Sequence, residues 1–375
     1  MTVKSSSIAS HFASLPDPRV DRTKRHLLQD MLVIAICGII CGADDWVSIE
    51  QFGRAKETWF RTFLHLPNGI PSHDTFGRVF AAVNPESFSQ CFVSWMQAIA
   101  RVTEGEVVAI DGKTLRRSFD RASGKAGIHM VSAWASENRM VLGQVKTDEK
   151  SNEITAIPKL LKVLDVKGCI VTIDAMGCQK DIAKQITSQG ADYVLGLKGN
   201  QANLHMEVGA YFEEALKGDF SNTPHDLFEE SGKGHGRHEV RRLWCTNDLT
   251  WFAKRDEWAG LTSIAMVESE RTVNGAKSSE RRYYISSLAG DNAQTFARAV
   301  RLHWGIENSV HWVLDVAFRE DDSRVRKDHG PNNLATLRHV ALNLLKNEHT
   351  TKIGVKNKRL KAGWDEQYLR AVLGI

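Results

Sequence analysis

The sequence predicts a run of helices followed by a mixed α/β domain, and three observations carry that prediction. Apolar residues recur at helical spacing through the first hundred positions. β-branched runs begin at Val107 and alternate with helical stretches up to about residue 200. Two of those runs, Val107–Ile110 and Ile170–Ile173, each end in an aspartate.

The elements follow in order. Residues 1 to about 25 read as a flexible arm with a turn at Leu15-Pro-Asp-Pro-Arg19. Leu27, Met31, Ile34, Ala35 and Ile39 mark a first helix, and Val47–Leu64 reads as a second. Ser72 is placed to cap a short helix that runs to Val83. Pro85 opens a fourth, with Phe88, Cys91, Phe92, Trp95 and Ile99 on one stripe. Past Glu106 the strands are Val107–Ile110, His129–Ala135 and Met140–Thr147, the last two joined by a turn at Asn138. A helix over Ile154–Leu164, a strand over Cys169–Ile173, a helix over Lys180–Gln189 and a strand over Tyr193–Leu197 complete a β-β-β-α-β-α-β order. Residues 225–287 are β-rich, with strands at Glu239–Trp244, Ile264–Glu268 and Arg282–Ser286. One long helix covers Ala293–Phe318, another Asn332–Asn347, and the last residues are basic. This divides the chain into a helical N-terminal domain (1–102), a core (103–350) and a basic C-terminal tail (351–375).

The 375 residues, 42% of them hydrophobic and 25% charged, suffice for a sizeable core. The longest apolar run, Met31–Cys41, is about half the roughly 20 residues of a membrane span. No membrane partner is expected. Thr2–Ser14 is polar and mixed, unlike a secretory leader, and six cysteines without a Cys-x-x-Cys pair fit buried thiols in a reducing cytoplasm. The expected location is therefore cytoplasmic. The net charge of +4 is mild, but the basic residues are knotted. The knots are Arg19–Arg25, Lys113–Lys125 (with Arg116, Arg117 and Arg121), Lys233–Arg242, Arg319–Lys327 and Lys352–Lys361. Any one knot is explained by solvated surface; five together fit a phosphate-binding surface.

Asp111 and Asp174 share a design: each ends an apolar strand beside a small residue, Gly112 or Ala175. On neighbouring strands both carboxylates leave one edge of the sheet, where open α/β sheets keep their sites. Two adjacent carboxylates repel unless a cation lies between them, and a hard divalent ion such as Mg²⁺ suits them. The plainer alternative is that each aspartate caps a turn. A third acid comes from the 293–318 helix, where Phe296, Val300, Trp304, Glu307, His311, Leu314 and Phe318 project onto one stripe at about 100° per residue. Glu307 then lies on an apolar face and needs a partner: a metal, His311 or an arginine. Three carboxylates around two ions perform in-line phosphoryl transfer, with water giving hydrolysis and a DNA 3′-hydroxyl giving strand transfer.

Other motifs weigh less. Asp111-Gly-Lys-Thr114 imitates the end of a phosphate-binding loop, but six residues separate Gly105 from Gly112 rather than four. His235 and His238 lack a nearby cysteine pair for zinc. Lys198-Gly-Asn200-Gln201 follows a strand and offers a lysine to a phosphate, or is a plain turn. Trp304 is a base-stacking platform or a core residue. His73, Thr75 and Arg78 open the helix after Ser72, where a recognition helix presents its base-reading groups.

These strings resemble those of insertion-sequence transposases of the DDE type, in the group that includes the H-repeat-associated proteins of bacterial Rhs elements. The resemblance rests on Ala109-Ile-Asp-Gly-Lys-Thr-Leu-Arg116, Lys146-Thr-Asp-Glu-Lys-Ser-Asn-Glu-Ile-Thr-Ala-Ile-Pro158, Thr172-Ile-Asp-Ala-Met-Gly-Cys-Gln-Lys-Asp181, Lys198-Gly-Asn-Gln201, Arg282-Tyr-Tyr-Ile-Ser-Ser287 and His303-Trp-Gly-Ile-Glu-Asn308 with His311-Trp312 and Leu314-Asp-Val316. It runs from about His26 to the C-terminus. It implies an RNase H-like mixed-sheet core with the β-rich stretch inserted before the last catalytic helix, and an N-terminal helical domain for DNA contact. It implies Asp111, Asp174 and Glu307 as catalytic metal ligands, two Mg²⁺ ions (or Mn²⁺) as cofactor, and DNA as partner. Lys113, Arg116, Lys198, Asn200, Gln201, His73, Thr75 and Arg78 are the expected DNA contacts. The implied reaction is cleavage at the element's terminal inverted repeats and joining to target DNA, by a homodimer assembled on DNA. An inactive relic that only binds DNA, and a nuclease of the same fold, are the alternatives. Many related transposases carry tyrosine and arginine before the glutamate and lysine after it; Val300, His303 and Leu314 stand there in this chain.

Overall fold

A computed structural model describes residues 8–100, 102–119, 127–147, 152–234 and 236–375. Arg121, Lys125, His235 and the 148–151 part of the string above lie outside the described residues.

The first hundred positions carry only helices among the described residues: α1 (Ile8–Phe12), α2 (Leu28–Ile40), α3 (Trp46–Ala55), α4 (Glu57–Phe60), α5 (His73–Ala82) and α6 (Pro85–Ile99). Then come β1 (Val107–Thr114), β2 (His129–Ala135), β3 (Met140–Lys146), α7 (Glu153–Leu161), β4 (Ile170–Ile173), α8 (Lys180–Ser188), β5 (Asp192–Leu197) and α9 (Ala202–Lys217). Four longer strands follow: β6 (Asp226–Gly234), β7 (Arg237–Thr246), β8 (Ser263–Val273) and β9 (Ala276–Ser286). The chain closes with α10 (Ala293–Ile306), a π turn (Glu307–His311), α11 (Trp312–Phe318), α12 (Gly330–Asn347), α13 (Val355–Trp364) and α14 (Glu366–Leu373). The fold is mixed α/β with nine mostly antiparallel strands, as the sequence predicts.

Two compact units result: Met1–Arg101 with Gly112–Asn152 and Glu307–Ile375, and Val102–Asp111 with Glu153–Ile306. In the first, α2 is nearly all apolar and packs on α12, which also meets α5, α6 and β3. Two buried asparagines of α12 bond to backbone. Asn343 brackets Val141 of β3, accepting from its N–H at 2.9 Å and donating to its carbonyl at 2.8 Å. Asn333 donates to the Phe80 and Val83 carbonyls at 2.7 and 2.9 Å. A buried amide costs little only when satisfied in this way.

Three expectations for this unit are corrected. The arm is packed from Ile8 onward, because Phe12 and Leu15 are buried and Phe12 meets Phe88 edge-on. The helix expected over Val47–Leu64 breaks at Lys56 into α3 and α4. The basic tail is two packed helices, α13 and α14, in which Lys358 and Arg359 are buried; Arg359 donates to the Ile39 carbonyl and to Asp44.

The second unit is built on strands in the order β1-β4-β5-β9-β8-β7-β6. β1, β4 and β5 are mutually parallel and the remaining neighbours antiparallel. α10 lays Ala293, Phe296 and Ala299 on Val107, Ile170, Val194, Leu243 and Val267. α9, which the sequence analysis does not anticipate, carries Leu204, Val208, Phe212 and Ala215 at helical spacing and stacks Phe212 on Tyr283. Toward their distal ends β6 to β9 replace the apolar rows with charge. Glu229, Arg242, Glu268 and Arg281 stand in one cross-strand row of alternating sign, joined by ion pairs such as Arg242–Glu229 at 2.5 Å and Arg281–Glu268 at 2.9 Å.

Candidate active site

In the second unit, parallel pairing sets Val107 beside Ile170 and Ile110 beside Ile173. The four paired positions of both strands are buried and apolar apart from Thr172. The next residue of each is an aspartate: Asp174 follows the end of β4, while Asp111 stands just past the last β4-paired position of β1, a strand expected to stop at Ile110 that runs on to Thr114. Asp174 also caps the turn that follows: its Oδ1 accepts from the Met176 N–H at 2.9 Å. The plainer role thus coexists with a strand-end carboxylate rather than replacing it.

That turn, Ala175–Gly177, is tightly held. A Cβ on Gly177 would lie 2.3 Å from Ile173 Cγ2, and one on Gly196 of β5 would lie 3.3 Å from the Ala175 nitrogen. Asn200 donates its side-chain amide to the Ala175 carbonyl, and Gln201 donates to the Cys178 carbonyl at 2.9 Å. These two residues, expected to contact DNA, each give an amide N–H to the turn. Burial, with the Asp174 charge second, pushes the Cys178 thiol up to about 12, so it stays protonated and is no nucleophile. One strand position before Ile173, Thr172 Oγ1 lies 3.0 Å from His303 Nδ1 on α10. His303 is therefore placed against β4.

In the first unit, Glu307 opens the π turn. Its side chain is 56% exposed and its Oε2 lies 2.9 Å from Nδ1 of His311, which is 5% exposed. The inward position expected for Glu307 is corrected here. A projection at about 100° per residue assumes an unbroken α-helix, and the π turn puts extra backbone into one turn, slipping the phase. Trp304, also placed on the stripe, is 46% exposed with the Arg282 guanidinium 4.9 Å from its ring centre. Asp111, Glu307 and His311 each offer an atom suited to a metal ion. Carboxylate oxygens and an imidazole fit a hard or borderline divalent cation. His311 enters the sequence analysis only as a partner for Glu307. The i, i+4 spacing of the two is the signal that pairs them.

Among the other expected contacts, Lys113 turns inward and donates to Asp315 and, at 3.0 Å, to Glu320. Arg116 is 82% exposed beside Asp321, and Lys198 is exposed. His73 donates its backbone N–H to Glu50 at 2.7 Å and sets its Nδ1 at 2.7 Å from the same carboxylate, while Ser72 caps α5 as predicted. Thr75 lies 3.1 Å from the Ser72 hydroxyl, and Arg78 is exposed.

Residues 103–344 match the model of the transposase DDE domain, and residues 9–96 match its associated N-terminal family. The chain belongs to the DDE transposase family. A protein named "Putative transposase YncI" from Escherichia coli O157:H7 is 44% identical over 98% of this chain and 94% of its own length. "H repeat-associated putative transposase YhhI" from Escherichia coli K12 is 41% identical over 98% and 97%. A shorter relative, "Inactive transposase YbfQ" from the same strain, is 38% identical over 19% of this chain. The group expected from the motifs is thereby shown. No helix of the described residues is long and apolar enough to cross a membrane.

Proposed function

We propose that this chain cuts DNA at the inverted repeats of its own element and joins the freed 3′-hydroxyl to target DNA, with Asp111, Asp174 and Glu307 as its catalytic metal ligands. The observation that carries the reading is the β1–β4 register, which sets an aspartate just past the last paired, buried position of each of two parallel strands within a chain of the DDE family. The donor set fits Mg²⁺ or Mn²⁺, which when bound would activate the attacking oxygen and stabilise the leaving one. The chain's own residues do the rest. Asp174 is fixed by its turn, Glu307 is oriented by His311, and His303 braces β4 through Thr172. Arg78, Arg116 and Lys198, all exposed, take phosphate contacts. The core is RNase H-like in this reading, and the working species is a homodimer on DNA.

The test is Asp111→Asn. It should abolish Mg²⁺-dependent cleavage of a DNA fragment bearing the element end while a mobility shift still reports binding. Undiminished cleavage overturns the assignment. Cleaved ends with no joined species in the unsubstituted protein would mark a nuclease, and binding without cleavage a relic.

A further inference from the structure

We propose that Asn200 and Gln201 are positioning residues for Asp174, holding its carboxylate in aim by pinning the carbonyls of the turn that it caps. The proposal rests on the reading of Asp174 as a metal ligand.

A three-residue 3-10 turn has little hydrogen bonding of its own and poor geometry within it. Ala175 and Cys178 are buried, so their carbonyls need partners from the protein. The Ala175 carbonyl accepts the Cys178 N–H at 3.2 Å within the turn, and side-chain amides of consecutive residues reach in from outside, Asn200 on Ala175 and Gln201 on Cys178. The donors sit in a second 3-10 turn, Gly199–Gln201, closed by the Gln201 N–H on the Lys198 carbonyl at 3.0 Å. The turn after β5 is therefore buttoned to the turn after β4.

Two further contacts leave that turn no slack. Gly196 lets the β5 backbone lie against Ala175 and Asp174, and Gly177 sits where any Cβ would strike Ile173 and Ile157. Met176 is 45% exposed and brings no buried side chain to hold the loop. Its N–H is nonetheless the group that orients Asp174 Oδ1. The Ala175 carbonyl and the Met176 N–H share one peptide plane, so pinning that carbonyl fixes the N–H, and through it the carboxylate, while the Cys178 carbonyl holds the far end of the turn. Outer partners of this kind commonly govern the affinity of a metal site as strongly as the ligands' own geometry.

The experiment is a titration of the full chain with Mn²⁺ alone, read by its electron paramagnetic resonance signal. The variants are Asn200→Leu with Gln201→Met, which keep side-chain bulk and remove both donors. Mn²⁺ affinity should fall about 10- to 100-fold at a temperature where circular dichroism shows the variant folded. A role in stability alone would lower the melting temperature and leave Mn²⁺ affinity unchanged, and that result overturns the proposal. Should the double variant fail to fold, Asn200→Leu alone carries the same test. Asp174→Asn separates the two readings. If it weakens Mn²⁺ binding and the amide variants do not, the positioning role fails and the ligand assignment stands. If it leaves Mn²⁺ binding unchanged, the ligand assignment fails and the proposal falls with it.

Discussion

The Lys113 ammonium lies 3.0 Å from the carboxylate of Glu320, a residue with almost no solvent exposure. Burial alone would raise the Glu320 pKa, but the charges of Lys113, Arg338 and His339 hold it below the usual carboxylate value. Arg338 Nη1 stands 3.7 Å from the same carboxylate. Removing one member of a buried charge cluster strands the others. Lys113→Met should therefore cost about 3–5 kcal/mol of stability, read as a lowered urea midpoint. Because this ammonium faces inward, the slope of log affinity against log salt for DNA should hardly change, whereas a lost phosphate contact would lower it by about 1. A stable variant with a shallower salt slope would return Lys113 to the DNA surface.

Arg359 makes the same point for the end of the chain. Its Nε and Nη2 donate to the Ile39 carbonyl at 3.0 and 2.8 Å, its Nη2 donates to Asp44 at 2.6 Å, and its guanidinium lies 4.2 Å from the Phe318 ring centre. Arg359→Lys should lose about as much stability as Arg359→Ala, roughly 3 kcal/mol, because an ammonium cannot reproduce the fork or the stacking. Deleting 355–375 should leave an aggregating chain. A fully folded deletion product, judged by its melting curve, would show that α13 and α14 are dispensable.

Gly177 tests how tightly the turn after Asp174 is packed. An alanine Cβ there meets Ile173 Cγ2 at 2.3 Å and Ile157 Cδ1 at 2.9 Å. Gly177→Ala should cost about 1–3 kcal/mol through overpacking, visible in chemical denaturation. A loss below 0.5 kcal/mol, roughly the level of a neutral surface change, would mean that the turn yields freely.

Much of this was legible in the sequence where one physical signal dominated. The apolar run of α2, the Ser72 cap and the twin strand–aspartate motif follow from periodicity and capping alone. α9 has a helical signal in Leu204, Val208, Phe212 and Ala215, but it is set between two turn-rich stretches that mask it. β6 had none: its distal residues face solvent, and its pairing is written in charges such as Glu229 opposite Arg242 rather than in alternating hydrophobicity. The exposure of Glu307 was hidden for a third reason. A π turn changes helical phase without any change in composition, so the stripe through Phe296 and Phe318 projects Glu307 inward when its side chain faces out. The amide clamp on the Asp174 turn pairs residues about 25 apart in sequence, a relation that only the folded chain provides.

The buried histidine of α12 gives the last prediction. Burial first, offset in part by the Glu320 charge, lowers the His339 pKa from 6.5 to about 4. Its Nδ1 has no hydrogen-bond partner among the described residues. The unfolded chain takes up this proton near pH 6.5 while the folded chain refuses it until about pH 4. Stability is therefore complete above pH 6.5 and drains as the pH falls toward 4, by on the order of 3 kcal/mol in all. Glu50, held down to about 2 by hydrogen bonds from His73 and Arg54, adds its own loss only below the ordinary glutamate range. His26, whose pKa is also lowered by burial, titrates equally in the wild type and in a His339 variant. The difference between the two proteins between pH 7.5 and 4.5 thus belongs to His339. His339→Leu should flatten the fall in urea midpoint over that range and be relatively more stable at pH 5 than at pH 7.5. Parallel curves for the two proteins would place the acid sensitivity elsewhere.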